Sequence, residues 1–252
     1  MNIYIIIDSN RFMPNHFFLD GIFKDIADII STNSNIKLVM PRVIIDELTK
    51  NFISRIGYIK TDNNGKYVYD NLIKQFINKL TDKKDINISE WYEQQLIKKL
   101  TETFKAEILD IPAVDHAKII DSYKNIRSPF KSKKGDFSGY KDFIIWESII
   151  QLIKKHKGKE VNKYYFVSND SDFFNNDKSL SPELEAEIKA EIDSRFFVCL
   201  PTVEELKIYL AEEITIPKAE TEELEIFIEP ILDFLNKNVI DFGKLLKNIS
   251  EI

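Results

Sequence analysis

The sequence predicts an α/β protein whose parallel sheet is covered by helices on both faces. Three observations carry this. Short, mostly apolar runs at residues 3–7, 37–40, 164–167 and 196–200 lack polar alternation, as strands buried on both faces require. Between them lie stretches in which apolar residues recur at three and four, the helical period. The two patterns take turns along the chain, the order that puts helices on both sides of a sheet.

Residues 3–7 form the first expected strand, ending in the polar turn Asp8-Ser9-Asn10. Residues 17–30 follow as an amphipathic helix, with Phe18, Ile22, Phe23, Ile26, Ile29 and Ile30 on one face. Residues 37–40 are the second strand. Pro41 then stands where a helix starts, and residues 43–52 continue that helix with Glu47 beside the apolar face of Val43, Ile44 and Leu48. From about 54 to 134 the strand–helix rhythm breaks. Asp62-Asn63-Asn64-Gly65 is a turn signal. Residues 67–80, 89–109 and 114–123 have helical spacing, and the richness in Ile, Leu, Phe and Trp marks the stretch as a helical insertion. Ser89 with Tyr92 is no full capping box, lacking Glu or Gln at the fourth position.

The rhythm resumes at Asp142 with a helix over 143–155, a strand over 164–167 and the turn Ser168-Asn169-Asp170-Ser171-Asp172. Ser181 and Pro182 open another helix as N-cap and first residue. The strand 196–200 and a helix over 202–211, with Thr202 and Glu205 set as a capping box, complete the pattern. The expected domain is therefore 1–211, followed by an acidic, amphipathic helical extension over 212–252.

Composition excludes several classes. Apolar residues make up 44% and charged residues 30%, too apolar for a disordered chain, and seven glycines leave no room for long glycine-rich cofactor loops. No apolar run approaches the roughly 20 residues needed to span a bilayer. The opening MNIYIIID has no basic leader before a small-residue cleavage site, so no signal peptide is expected. A single cysteine, Cys199, excludes internal disulfides and cysteine-based zinc sites and points to a reducing, cytoplasmic setting. The net charge of −6 does not exclude a nucleic-acid partner. From residue 201 onward there are 12 acids and 5 lysines, which leaves 29 acids and 30 bases in the first 200 residues.

The acids stand where an open parallel sheet binds its ligands, outside the carboxyl ends of the strands. Asp8 follows the first strand, and Asp170 and Asp172 follow the strand 164–167. Glu47 lies about a turn and a half into the helix after the second strand, and Asp142 lies in the first turn of a later helix. Carboxylates gathered this closely raise one another's pKa unless a cation neutralises them. All-oxygen ligation suits Mg²⁺ or Mn²⁺ far better than Zn²⁺, and such ions activate water for attack on a phosphate.

These residues resemble the motifs of PIN domains. Ile5-Ile6-Ile7-Asp8-Ser9-Asn10 is similar to their opening Asp-Thr-Asn, with Ser for Thr, and the segment 41–47 to the one in which a Pro precedes the metal-binding Glu. The segments 139–146, with Gly-Tyr-Lys-Asp, and 166–173 resemble the third and fourth acidic motifs. Together with Arg127-Ser128-Pro129-Phe130 upstream, the Gly-Tyr-Lys-Asp block resembles a bacterial PIN-like subgroup.

The resemblance implies a three-layer α/β/α fold with a five-stranded sheet of order 3-2-1-4-5. It also implies Mg²⁺- or Mn²⁺-dependent cleavage of RNA by activated water. Carried over by position, Asp8, Glu47 and Asp142 are metal ligands, with Asp170 and Asp172 both candidates for the last acid. Ser9 and Asn10 would orient the first carboxylate or the scissile phosphate, and Ser168 would support them.

Ordinary readings stand beside these. Asp142 also suits a helix N-terminus, where a negative charge contributes about 0.3–1 kcal/mol. Of the pair Asp46 and Glu47, Asp46 is expected to face solvent. Arg127, Lys131, Lys133, Lys134 and Lys141 form a basic stretch that would contact a phosphate backbone in a nuclease and is otherwise a solvated loop. Phe130 and Tyr140 could stack on bases, although an aromatic in such a loop more often anchors the core. His16, His116 and His156 have no ligand spacing. Trp91, Trp146 and Cys199 read as core.

Two rival functions remain in view. A haloacid-dehalogenase-type phosphatase also begins with a strand ending in Asp but needs a second Asp where this chain has Asn10. A catalytically silent PIN-like scaffold needs no metal. A toxin held by an antitoxin, or a homodimer, would give the insertion and the acidic tail a partner.

Overall fold

The computed structural model describes residues 1–12, 21–57, 87–130, 139–158, 161–175 and 177–213. The expected helix at 67–80, the turn at 62–65, the first residues of the helix expected from 17 and nearly all of the acidic extension lie outside these residues. So do Lys131, Lys133 and Lys134.

Five strands form one parallel sheet in the order β3-β2-β1-β4-β5, as the resemblance implies. They are β1 (Asn2–Ile7), β2 (Ile36–Pro41), β3 (Glu107–Leu109), β4 (Asn162–Val167) and β5 (Phe197–Leu200). The central strands are apolar because both their faces are covered. Ile5, Ile6, Val39, Tyr165, Phe166 and Val167 are all fully buried. The helices are α1 (Ser9–Phe12), α2 (Gly21–Thr32), α3 (Arg42–Gly57), α4 (Ile88–Glu102), α5 (His116–Lys124), α6 (Tyr140–His156), α7 (Pro182–Glu191) and α8 (Val203–Glu213).

Alternating side chains of β4 show which helix covers which face. Tyr164 stacks on Tyr4, which stacks on His156 of α6, and Phe166 meets Trp146 of α6 edge-on. Tyr165, between them, points the other way, to Tyr209 of α8. Trp146 also donates its indole N–H to Glu187 of α7 at 2.7 Å, so α6 and α7 share one layer. The α2 helix packs with α8 on the opposite layer.

Two local expectations are corrected. The spacing Tyr92, Leu96, Leu100, Phe104 predicts one helix over 89–109, and all four residues are buried. The helix nevertheless stops at Glu102, because the chain turns at Lys105, whose φ of 49° lies in the left-handed region. Residues 107–109 then become the edge strand β3, paired with β2 from Val39↔Glu107 to Pro41↔Leu109. The stretch 54–134 is therefore no purely helical insertion, since it supplies a strand of the sheet. At the other end of α4, Asn87 is the N-cap. Its side chain accepts from Ser89 N–H at 3.1 Å and donates to Glu90 at 2.8 Å.

Other caps fall close to expectation. Thr202 accepts from Glu205 N–H at 3.1 Å, while Ser181 is the N-cap before Pro182 without a side-chain cap bond. Pro41 is the last residue of β2 rather than the first of the helix, and α3 begins directly at Arg42. Among the described residues no helix is long and apolar enough to cross a membrane.

Candidate active site

Register decides where the site lies. Strands β1 and β4 pair residue for residue from Asn2↔Asn162 to Ile7↔Val167, so they end side by side. Beyond them the ladder continues for one bond on each side, Asp8 N–H to Val167 O at 2.9 Å and Ser168 N–H to Leu200 O at 3.0 Å. The chain leaves β1 toward β2 and reaches β5 from β4, so the strand order reverses between β1 and β4. A crevice opens at such a reversal, outside the carboxyl ends of the strands.

Asp8 lies there fully buried. Its Oδ2 accepts from Ser168 Oγ at 2.7 Å and from Asn10 Nδ2 at 2.8 Å. Ser9 Oγ lies 3.3 Å from Asp8 Oδ1 and donates to Glu47 Oε2, so one hydroxyl ties the end of β1 to α3. Asn10 is itself held, since its Oδ1 accepts from Arg11 Nε at 3.0 Å while Arg11 Nη1 donates to Pro201 O at 3.0 Å. Arg11 carries no sequence signal that marks it for this role. Burial raises the Asp8 carboxyl above the ordinary range. Ser168 and the Lys141 charge oppose the rise, and Glu47 and Asp170 add to it.

Glu47 comes from α3, which starts immediately after β2 and buries Ile44, Ile45 and Leu48. Asp46 turns to the surface, where Arg42 Nε binds it at 2.9 Å. Glu47 turns to the crevice, and its Oε1 accepts from Lys141 Nζ at 2.8 Å. The same ammonium stands 3.1 Å from Asp142 Oδ1, as an ion pair rather than an aligned hydrogen bond. The Lys141 ammonium is held protonated well above its ordinary value. Burial works against this, but the charges of Asp142, Glu47 and Asp8 prevail.

Asp142 is buried in the first turn of α6 and is pushed up to about 6. Burial is the main cause, Lys141 counteracts it, and Asp170 and Asp8 reinforce it. The start of α6 is fixed from below. Gly139, its N-cap, has φ of 99°, and a Cβ there would stand 2.7 Å from Pro129 O. Phe130 is buried against Phe143, with ring centroids 5.3 Å apart, inside a small cluster with Ile119 and Ile144. Phe130 is thus a core anchor and not a base-stacking residue, whereas Tyr140 is exposed.

The two late acids differ. The charge of Asp170 bears on Asp8 and Asp142. Asp170 also closes the turn by accepting from Asp172 N–H at 2.9 Å, while its own N–H donates to Ser168 Oγ at 3.1 Å. Asp172 is buried. The structure thus brings together Asp8, Ser9, Asn10, Glu47, Lys141, Asp142, Ser168 and Asp170. Arg127 is half-exposed and pairs with Asp121 at 3.0 Å.

The donor set is all oxygen, which fits a hard divalent cation. Two buried carboxylates with raised pKa values are what a cation would relieve. Among the described residues, no three Asp, Glu, His or Cys side chains stand in position to hold one ion. The Lys141 ammonium lies between Glu47 and Asp142 instead.

The PIN-domain family profile matches residues 5–173, a span that runs from β1 through Asp172. No curated protein and no solved structure matches the chain. With a sheet of order 3-2-1-4-5 and a carboxylate cluster at its strand reversal, the chain belongs to the PIN-domain family, whose fold is of nuclease type.

Proposed function

We propose that the protein is a divalent-metal-dependent endoribonuclease that hydrolyses phosphodiester bonds with an activated water. The observation that carries the reading is the convergence of Asp8, Glu47, Asp142 and Asp170 on one crevice, with two of them buried and raised in pKa. Asp8 and Asp142 would hold Mg²⁺ or Mn²⁺, with Glu47 and Asp170 completing the negative field and Asp172 the alternative fourth acid. A bound divalent ion supplies a lowered pKa for water and neutralises charge on the phosphate under attack.

The chain's own residues do the rest. Ser168 and Asn10 fix the rotamer of Asp8 by donating to Oδ2, and the Ser168 bond favours the ionised form against burial. Arg11 locks Asn10, and Ser9 links Asp8 with Glu47. Such outer partners typically govern metal affinity or activity by about 10–100-fold. Tyr140, exposed beside the crevice, and the basic stretch around Arg127, Lys131, Lys133 and Lys134 are the candidate contacts to the nucleic acid.

A second reading has one observation in its favour. A lysine lodged among the acids, with no three of them set around one ion, suits a catalytically silent PIN scaffold. The phosphatase alternative is set aside by the family match. The deciding experiment is cleavage of a pool of labelled RNAs and single-stranded DNAs with Mn²⁺, Mg²⁺ or EDTA, alongside Asp8→Asn. Metal-dependent cutting that the variant lacks supports the nuclease and, by the substrates that disappear, its class. No cutting and no Mn²⁺ binding would leave the scaffold.

A further inference from the structure

We infer that the Lys141 ammonium is the built-in counter-cation of the carboxylate cluster, and that a divalent ion enters the site by exchanging with it. The inference rests on the metal-dependent reading above and adds a residue that sets how tightly the metal binds. Its basis is geometric. Lys141 is the second residue of α6, yet its ammonium reaches across the crevice to Glu47 of α3, 94 positions earlier, at 2.8 Å. It also stands 3.1 Å from the carboxylate of its neighbour Asp142. Adjacent residues on a helix project about 100° apart, so an ammonium that meets both its neighbour's carboxylate and Glu47 is aimed into the crevice and not along the solvent face. A solvated surface lysine has no reason to point that way.

The electrostatics follow from the position. The carboxylates of Glu47 and Asp142 have side chains only 21% and 8% exposed, and Lys141, itself 33% exposed, is the cation paired with both among the described residues. A divalent ion drawn to the same oxygens would meet an ammonium a few ångströms away. Two like charges at that range, in a partly desolvated crevice, repel strongly. The two cations therefore exclude each other, and binding the metal means releasing the lysine. In the metal-free chain the ammonium restrains carboxylate repulsion and joins α3 to α6, which lowers the apparent affinity for metal.

A purely structural ion pair would stabilise the metal-free fold in the same way but would not compete with the metal. The test separates the two on the full chain by calorimetric titration of Mn²⁺ and by thermal melting in EDTA. It compares wild type, Lys141→Met and Lys141→Gln, the last keeping a hydrogen-bond donor for Glu47 should the methionine variant fail to fold. Lys155→Met, which removes only the exposed pair with Glu107, serves as the control.

Exchange predicts that both Lys141 variants melt lower in EDTA, regain the loss with Mn²⁺, and bind Mn²⁺ at least tenfold more tightly than wild type or the control. Folded variants that bind Mn²⁺ equally or more weakly, while wild type does bind it, overturn the exchange and leave the metal-dependent reading standing. No binding of Mn²⁺ or Mg²⁺ by wild type or either variant sinks that reading and the exchange together.

Discussion

Ser168 donates its hydroxyl to Asp8 Oδ2 at 2.7 Å, joining through side chains two strands that are already joined by their backbones. The contact exists because β1 and β4 end in register, so the residue after each strand faces the residue after the other. The same hydroxyl accepts from Asp170 N–H, which couples the acid at the end of β1 to the turn at the end of β4. Ser168→Ala removes the strongest influence holding the Asp8 carboxyl down, so a proton competes better with a cation there. The expected result is a loss of about 10–100-fold in Mn²⁺ affinity, with cleavage falling in parallel. Calorimetry at pH 7 measures it, and an unchanged affinity would show that Asn10 alone suffices to orient Asp8.

Neutralising Asp142 should separate catalysis from stability. Its carboxyl is pushed from 3.8 to about 6 in the folded chain, mainly by burial, so the folded state binds a proton the unfolded state has already released. The contribution is fully present below pH 3.8 and is lost as pH rises through about 6. In EDTA at pH 8, Asp142→Asn should therefore be more stable than wild type by at most about 3 kcal/mol. That figure already includes the favourable pull of Lys141 on the carboxylate. Near pH 4 the gain should vanish, and cleavage with metal should be absent at every pH. Urea melts at the two pH values are the measurement, and a variant less stable at pH 8 in EDTA would contradict the electrostatic account.

Asp170 and Asp172 are indistinguishable by spacing, but the structure gives them different surroundings. The charge of Asp170 acts on both Asp8 and Asp142, and its carboxylate accepts from the Asp172 N–H. Asp170→Asn retains an acceptor for that N–H and removes only the charge. It should reduce Mn²⁺ affinity and cleavage at least tenfold while the melting temperature in EDTA stays level or rises. Asp172→Asn should have the smaller effect on Mn²⁺ affinity. The reverse order in a side-by-side titration would reassign the fourth acid to Asp172.

The parts of the fold legible in the sequence are those in which one residue pattern answers to one environment. Strands buried on both faces must be apolar, which makes the inner parts of β1, β2 and β4 visible, whereas the edge strand β5, with Val198 and Cys199 half-buried, shows only as a short apolar run. Strand β3 is not visible, because its three half-buried residues continue the spacing of Leu96, Leu100 and Phe104. What ends the helix is the conformation of Lys105, a residue with no turn signature. In the site, the acids were legible through their positions after strands and their likeness to PIN motifs. Lys141 reads as one more cation in a basic stretch, because nothing in the order of residues tells that its ammonium reaches Glu47 of α3. Arg11 was silent for a similar reason, since its partners Asn10 and Pro201 lie at the ends of β1 and β5, strands far apart in sequence.

Gly139 offers the sharpest test of how the α6 start is built. Its φ of 99° costs an alanine about 1–3 kcal/mol in backbone strain. The new Cβ would also meet Pro129 O at 2.7 Å and Phe130 Cα at 3.1 Å, backbone atoms that cannot swing aside as a side-chain tip would. The segment 127–130 is held in turn by Phe130, whose truncation to alanine should cost about 3–5 kcal/mol because the ring is fully enclosed. Relief in Gly139→Ala must therefore come from displacing the first turn of α6, which carries Lys141 and Asp142. A shift of about 1 Å at reacting groups can lower a rate about a hundredfold. Gly139→Ala should thus lose cleavage well beyond what its lowered melting temperature explains when assayed far below that temperature. Wild-type activity in a destabilised Gly139→Ala chain would mean that the α6 start can move without disturbing the carboxylates, and that Asp142 lies outside the reacting centre.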